Sequence, residues 1–390
     1  MKISEMNIKD IGGIKSLNLS FNKGINLICG ANGVGKTTIL ECIAYSFGGG
    51  SVNAIKRNSM SEEGTWELFV EENGCEKKYD YRVTKFTPFE EDHLNTNTDK
   101  YKNVIVFKTH RDIPYARVDS IQRDRTSNVY QMASEQNKKG VNSNEIKSWF
   151  INRYMWSAHQ DALDNNQQKN YQLAKDIFQM LDSQISFLKV NHTTNDIIVK
   201  TPNGNIYYEY LSSGYKSCMH LLLGIIKEIE YRFQEPTIFV EDYNGIILID
   251  ELDLHLHPEW QAKILSCLRE TFKNAQIIAS THSPNMIQSA IINEVIPLKK
   301  NIDGSIEVKS FQGLKYGFQG WTIEEILEDV MGLQSTKSQK FNETLQEFNT
   351  ALDNGDIAKA KKNYEILKDM INPKNVILRL LKLQMDGMEE

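Results

Sequence analysis

The sequence has few cysteines, no long apolar run and no excess of positive charge, and each absence argues against a class of protein. Its five cysteines, Cys29, Cys42, Cys75, Cys218 and Cys267, show no C-x-x-C spacing. This pattern favours free thiols in a reducing compartment over a disulfide framework or a zinc site. No apolar run reaches the roughly 20 residues that span a bilayer, and the first residues follow a strand pattern rather than that of an apolar signal sequence. We therefore expect a cytoplasmic protein without a membrane segment.

The charge balance limits contact with nucleic acid to a local patch. The net charge is −6 over 390 residues, so the chain as a whole is not a general binder of polyanions. The segment 100–125 carries seven Lys or Arg residues among several Asp residues. This segment could face DNA or a partner protein, or it could be an ordinary solvated face. At this length we expect one large domain or about two to three small ones.

The strongest motif is a glycine-rich loop between an apolar strand and a helix. It matches G-x-x-x-x-G-K-[ST] with Gly30, Ala31, Asn32, Gly33, Val34, Gly35, Lys36 and Thr37, and Thr38 continues into the helix. Glycines let backbone N–H groups surround a phosphate, and the helix start adds partial positive charge. Lys36 would reach the β- and γ-phosphates, and the Thr37 hydroxyl would bind Mg²⁺. We therefore predict a site for a nucleoside triphosphate and Mg²⁺.

A second apolar strand, residues 245–249, ends in adjacent carboxylates, Asp250 and Glu251. Carboxylates at the end of a buried strand are costly unless they meet a cation or a solvated cleft. Together with the P-loop, Asp250 would hold Mg²⁺ and Glu251 would polarise the attacking water. The alternative is a strand end that simply meets solvent.

Two further stretches could contact phosphate. Ser212, Ser213 and Gly214 precede an apolar helix, where they form either a second phosphate-binding surface or a plain N-cap. One nucleotide cannot easily use both helix starts of one chain, whereas a head-to-tail dimer would let each protomer complete its partner's site. His282 follows the apolar strand 276–280 and could contact the γ-phosphate or be structural.

A histidine pair, His255 and His257, has i,i+2 spacing, but no cysteine or third histidine is placed near it to complete a metal site. His257 stands directly before Pro258, and proline suits the first turn of a helix. We interpret this segment as the entry to a helix rather than as a metal site.

The order of the motifs resembles that of ABC-type ATPases, and the stretches 250–258 and 281–284 resemble in particular their OLD-like branch. The order is the P-loop, Leu211-Ser212-Ser213-Gly214, Asp250-Glu251, Leu252-Asp253 and Thr281-His282-Ser283-Pro284, which spans residues 30–284. The resemblance implies an ATPase head that dimerises around ATP. In such a dimer Ser212 and Gly214 contact the ATP of the other protomer, Asp253 is the D-loop residue and His282 is the switch histidine.

The resemblance and the strand pattern together predict an α/β fold. We expect an ABC-type P-loop ATPase head with a mixed or parallel sheet, flanking helices and an antiparallel β subdomain. The head would comprise residues 1–50 and 190–315, with a helical C-terminal region over 316–390. Residues 51–189 would form an insertion, partly completing the head, with a β-hairpin at Asn73-Gly74, loops and helices. Within this insertion we expect a surface loop over 88–100 and no regular structure over 120–144.

Two features of the OLD-like branch are missing from the sequence. The part after His282 has no pattern of a Toprim nuclease, and the segment between the P-loop and Ser212 has no sustained heptads of a coiled coil. The chain therefore resembles the compact ATPases of Septu anti-phage defence systems, which implies a regulator of an HNH-type nuclease supplied in trans. The alternatives are an ATPase of another DNA-directed defence or repair complex and, less favoured, a transporter subunit.

One expected residue has no assignment. ABC-type ATPases carry a glutamine in a lid loop after an early core strand. Here the strand 103–107 is followed by Thr109-His110-Arg111, with Gln122 and Gln131 further on. The sequence does not identify the lid residue.

Overall fold

The computed structural model describes residues 1–95, 98–109, 115, 117–120, 124, 128–142, 144–311 and 313–387. The chain divides into two compact units, and the second begins at Leu333. The first unit therefore extends beyond residue 315, where the sequence pattern placed the end of the head. No helix of the described ranges is long and apolar enough to cross a membrane.

All strands of the described residues lie in the first unit. In chain order they are β1 (Lys2–Ile11), β2 (Ile14–Ser20), β3 (Ile25–Gly30), β4 (Gly50–Val52), β5 (Gly64–Glu72), β6 (Cys75–Val83), β7 (Asp92–Leu94), β8 (Val104–Phe107), β9 (Ser186–Val190), β10 (Ile197–Thr201), β11 (Gly204–Tyr207), β12 (Ile246–Ile249), β13 (Gln276–Ser280), β14 (Val295–Lys300) and β15 (Ile306–Val308).

Its helices are α1 (Lys36–Gly48), α2 (Val129–Lys139), α3 (Asn144–Trp156), α4 (Asn165–Leu181), α5 (Ser213–Arg232), α6 (Pro258–Thr271), α7 (Pro284–Ser289) and the short α8 (Ile323–Glu325), which continues as a π-helical turn. The second unit consists of α9 (Gln339–Asp353), α10 (Ile357–Met370) and α11 (Val376–Asp386). These three helices share a core that includes Phe348, Leu367 and Leu381.

The central sheet has six strands in the order β15-β14-β3-β13-β12-β8. Only the β14–β15 pair is antiparallel, and the other neighbours run parallel. Strands β3, β8, β12 and β13 are buried along their whole length, because helices cover a parallel sheet on both faces. The carboxyl ends of these four strands therefore meet at one edge, which is where α/β sheets bind ligands.

A second sheet is antiparallel, with four strands in the order β2-β1-β5-β6. Its β5–β6 hairpin turns at Asn73 and Gly74, with φ of 49° and 80°. Positive φ at both turn positions is the type I′ geometry that Asn-Gly favours, so the predicted hairpin is confirmed. Together with the mainly parallel sheet and its helices, this sheet confirms the predicted α/β class.

Two predictions for the segment between P-loop and α3 are wrong. Residues 88–100 were expected to form a loop, yet β7 lies there and pairs with β4. Residues 120–144 were expected to lack regular structure, yet they contain α2. Helix α2 buries the polar Gln136, whose amide donates to Glu228 at 3.1 Å, and its Ser134 hydroxyl donates to the Gly48 carbonyl at 2.5 Å. Because the buried face is partly polar, no apolar periodicity marks this helix in the sequence.

Candidate nucleotide-binding site

The loop between β3 and α1 has a backbone that only glycine adopts easily. Gly33 and Gly35 have φ of 74° and 97°, and Gly30 has φ of 141°. A Cβ atom on Gly30 would lie 2.5 Å from the carbonyl oxygen of Leu298, and one on Gly35 would lie 2.7 Å from Cδ1 of Ile14. The φ values therefore favour glycine at all three positions, and close packing further restricts Gly30 and Gly35.

The ammonium of Lys36 lies inside this loop. Its Nζ atom donates to the carbonyl oxygens of Gly30 at 2.8 Å and Ala31 at 3.0 Å, and only 6% of the residue is exposed. Burial lowers the pKa of Lys36 below its ordinary value. Carbonyl oxygens already surround the ammonium, so phosphate oxygens can replace them without moving the lysine out of the loop.

Thr37 and Asp250 come together at the carboxyl edge of the sheet. The Thr37 hydroxyl donates to Oδ1 of Asp250 at 3.2 Å, although 213 positions separate them in the chain. A hydroxyl and a carboxylate are the kind of oxygen ligands that Mg²⁺ takes, usually with water and substrate phosphates completing the set. In the described residues no group of three or more His, Cys, Asp or Glu side chains forms a metal cage. The donor set thus fits an Mg²⁺ ion that is shared with nucleotide phosphates.

Ser280, at the end of β13, joins the two carboxylate residues. Its hydroxyl donates to Oδ1 of Asp250 at 2.6 Å and accepts the backbone N–H of Glu251 at 2.7 Å. Glu251 has a φ of 49°, a left-handed conformation that is strained for a residue with a side chain and is found at functional sites. Sequence reasoning missed Ser280, and its only signal is its position between the apolar strand and Thr281-His282.

Asp253 and His282 are also brought together. Oδ1 of Asp253 accepts the Thr281 hydroxyl at 2.7 Å and the backbone N–H of His282 at 3.0 Å. The His282 side chain is exposed. Through these two hydrogen bonds, Asp253 in the turn after β12 positions Thr281 and His282, which directly follow β13.

The Ser212-Ser213-Gly214 stretch starts helix α5. Ser212 is its N-cap and accepts the backbone N–H of Tyr215 at 3.3 Å, and the residues Ser212 and Ser213 are exposed. Gly214 is buried, and a Cβ atom there would lie 2.7 Å from Cδ1 of Trp260 on α6. The N-cap interpretation is therefore confirmed, and the exposed hydroxyls remain available to a ligand from outside the chain.

A lysine–glutamate pair borders the Thr37–Asp250 contact and was not found from the sequence. Nζ of Lys108, directly after β8, donates to Oε1 of Glu41 on α1 at 2.7 Å. Both residues line a small cavity together with Thr37 and Asp250. Burial raises the pKa of the Glu41 carboxyl above its ordinary value, although the Lys108 ammonium lowers it in part.

The lid residue stays unassigned. His110, Arg111 and Gln122 lie outside the described residues. Gln131 lies in the first turn of α2, where its backbone N–H donates to the cap residue Asn128.

His257 and two cations of the segment 100–125 have local partners. His257 caps α6 by accepting the backbone N–H of Glu259 at 3.5 Å, so the predicted helix entry is confirmed. In the basic segment, the described cations include Lys100 and Arg117, which pair with Glu72 and Asp119.

This fold and these motifs define an ABC-type P-loop ATPase. A family model described as an AAA domain matches residues 5–235. The chain is 44% identical to the Septu protein PtuA of Bacillus thuringiensis over 98% of this chain and 97% of that protein. It is 32% identical to a retron Ec83 probable ATPase of Escherichia coli over 52% of this chain and 36% of that protein. Among solved structures it is similar to an SMC head bound to the C-terminal winged-helix domain of ScpA, with a TM-score of 0.47, 15% identity, and coverage of 81% of this chain and 99% of that one.

The chain belongs to the Septu PtuA family of ATPases. The predicted ATPase activity and the predicted OLD-like, ABC-type class are thereby confirmed. The family relationship places the protein among the ATPases of anti-phage defence.

Proposed function

We propose that this ATPase is a nucleotide-dependent switch that regulates a partner nuclease of the HNH type in anti-phage defence. One observation carries the proposal: the two candidate phosphate-binding stretches lie at the starts of two separate helices. Thr37 at the start of α1 contacts Asp250, whereas no hydrogen bond within the described ranges joins Ser212 or Ser213 to the loop Gly30–Thr37. The exposed serines of α5 suit a phosphate that a second copy of the chain brings to them.

The proposed active form is a head-to-tail dimer of two copies with ATP between them, and such dimers could associate further. ATP then controls assembly, because each nucleotide joins the P-loop of one copy to the Ser212-Ser213-Gly214 stretch of the other. The dimer and the separated monomers would present different surfaces to a nuclease or to DNA. This difference is what a switch requires, since a ligand shifts an equilibrium only when it binds one state better.

Each residue has a role in the proposed site. Lys36 would bind the β- and γ-phosphates, and Thr37 and Asp250 would hold Mg²⁺, which neutralises phosphate charge when bound. Glu251 would orient the attacking water and accept its proton. Asp253 would position His282 at the γ-phosphate. The backbone cradle would be Gly30, Ala31, Asn32, Gly33, Val34, Gly35 and Thr38, and the second copy would contribute Ser212, Ser213 and Gly214.

Mixing two inactive variants tests the shared site. Lys36→Ala removes the phosphate-binding lysine, and Ser213→Arg blocks the exposed serine surface without touching the Ser212 cap. Each variant alone should hydrolyse little ATP. An equimolar mixture should recover activity, because a mixed dimer keeps one intact P-loop facing one intact serine surface. A mixture as inactive as its components would reject the shared site.

The nuclease part of the proposal needs its own measurement. We expect the chain to co-purify with an HNH protein encoded beside it, and we expect Glu251→Gln to change the cleavage of DNA by that complex. The matched control is Glu259→Gln, an exposed acidic residue on α6. Recovery of a membrane permease instead, or cleavage that is insensitive to Glu251→Gln and to ATP, would contradict the proposal.

A further inference from the structure

We propose that Glu41 is a positioning residue of the Mg²⁺ site. Its carboxylate accepts a hydrogen bond from a water ligand of the ion, and Lys108 holds the carboxylate in place for this task. The inference rests on the proposed binding of Mg²⁺ by Thr37 and Asp250, and it adds residues that neither the motifs nor the family relationship assigned.

The fold brings the two residues to the proposed ion site from two different elements. Glu41 lies four residues after Thr37 on α1, so the two side chains share one helix face. Lys108 directly follows β8, which runs beside β12, and the backbone N–H of Asp250 donates to the Phe107 carbonyl at 2.8 Å. Strand register thereby places Lys108 next to Asp250, and all four side chains line the same small cavity.

The two carboxylate oxygens of Glu41 have different surroundings. Oε1 accepts the ammonium of Lys108 at 2.7 Å, whereas Oε2 is buried and accepts no hydrogen bond from any residue of the described ranges. A buried carboxylate oxygen without a donor is costly, and proteins rarely keep one without a reason. The chain thus holds an acceptor in this cavity for which it supplies no donor.

A water ligand of Mg²⁺ is a donor of the required kind. Mg²⁺ retains several waters and takes only one or two carboxylates from a protein. Metal-bound water donates hydrogen bonds, and acceptors around the first ligands orient them. Because Lys108 occupies Oε1, the carboxylate can neither rotate away nor bind the ion with both oxygens, which leaves Oε2 for the water.

A second lysine–glutamate pair provides a matched control. Nζ of Lys100 lies 2.7 Å from Oε2 of Glu72, and the lysine side chains of both pairs are 23% exposed. Glu72 differs because its other oxygen has a donor, the Tyr79 hydroxyl at 3.3 Å. It also lies on β5, in the antiparallel sheet. A purely structural role for Glu41 would make these two pairs behave alike.

The test measures the Mg²⁺ concentration that gives half-maximal binding of ATP and half-maximal turnover. Glu41→Ala should raise both values about tenfold or more, as is typical when such an outer acceptor is lost. Glu41→Gln keeps an acceptor oxygen and should shift them less. ATP binding in EDTA and the KM for ATP at saturating Mg²⁺ should stay within about twofold of the wild type. Glu72→Ala should shift neither half-point.

A double variant separates this role from simple charge repulsion. In Glu41→Ala the unpaired Lys108 ammonium could itself repel Mg²⁺. Glu41→Leu with Lys108→Met removes both charges and fills the space with apolar groups, which buried pairs often tolerate. The raised Mg²⁺ requirement should persist in this variant. A return to the wild-type requirement, or no shift in Glu41→Ala, would overturn the inference.

Thr37→Ala and Asp250→Asn test the underlying Mg²⁺ site separately. Both should weaken the dependence of ATP binding on Mg²⁺. If they change nothing, the proposed Mg²⁺ site fails. If they act as expected while the Glu41 variants do not, only the positioning role fails.

Discussion

The carboxylate of Asp253 accepts the backbone N–H of His282 at 3.0 Å. The same oxygen accepts the hydroxyl of Thr281 at 2.7 Å. Asp253 follows β12 and His282 follows β13, and these two strands are parallel neighbours in the six-stranded sheet. One carboxylate thus positions the chain that carries the exposed histidine, at the edge where Lys36 and Asp250 also lie.

Asp253→Ala should lower ATP turnover about tenfold or more and change the KM for ATP little. The substitution removes two hydrogen bonds to a charged acceptor, and each such bond contributes about 1.5–3 kcal/mol. These bonds position His282 and do not themselves bind the nucleotide. Steady-state kinetics measures the effect. Thr281→Val removes one of the two bonds and should have a smaller effect, and Asp253→Asn should partly restore turnover because its amide oxygen still accepts. A raised KM for ATP with an unchanged kcat would contradict this role.

Lys36→Ala and Glu251→Gln should separate binding from hydrolysis. Lys36→Ala should abolish ATP binding, since in the proposed site the ammonium that lies inside the loop would bind the phosphates. Glu251→Gln should keep binding, lose turnover and accumulate ATP-bound dimers. Calorimetry and sedimentation velocity measure these outcomes, with the exposed Lys23→Ala as control. A monomeric Glu251→Gln protein in saturating ATP would count against the dimer.

Ser280→Ala should reduce both stability and turnover. The serine is 1% exposed, and its loss leaves the backbone N–H of Glu251 without the acceptor it has at 2.7 Å. The free energy of unfolding should fall by about 1–3 kcal/mol. Denaturant unfolding and ATPase assays provide the measurement. Ser289→Ala, which alters an exposed serine of α7, is the control and should change neither quantity.

The folded protein should show one reactive thiol. Cys75 is exposed, whereas Cys29, Cys42, Cys218 and Cys267 are buried. Burial raises the pKa of the Cys29 thiol to about 12, so it stays protonated and unreactive at pH 8. Thiol titration at this pH should therefore find one group in the native state and five in denaturant. The folded Cys75→Ser variant should show no reactive thiol. Rapid labelling of a second thiol in the folded wild type would contradict the prediction, because it would mean that a buried cysteine becomes exposed.

Arg153→Met should destabilise the first unit by about 3–5 kcal/mol, because it leaves a buried carboxylate without its cation. Nε of Arg153 on α3 lies 2.6 Å from Oε2 of Glu230 on α5, and both side chains are 2% exposed. Arg153→Met combined with Glu230→Leu should recover most of the loss. Thermal unfolding of the two single variants and the double variant gives the coupling energy. Additive effects would mean that the pair does not act as a unit.

Local patterns were predictable where neighbouring residues alone decide the conformation. The Asn73-Gly74 hairpin and the loop at Gly30–Thr37 need particular φ values, which only a few residue types adopt easily. Helix α2 was missed because its buried face includes Gln136, which is satisfied by Glu228 on another helix. Strand β9 was missed because its partner β10 lies beyond a turn and its own residues do not alternate between buried and exposed.

The sequence by itself predicted that the chain binds a nucleoside triphosphate, because a phosphate-binding loop requires glycines, a lysine and a threonine at fixed spacing. It also determined the order of the other motifs. Only the tertiary structure decided which side chains meet. Thr37 reaches Asp250 across 213 positions and Glu41 reaches Lys108 across 67. These contacts depend on the order and the register of the parallel strands. Strand order and register are in turn determined by hydrogen bonds and burial between residues that are far apart in the sequence.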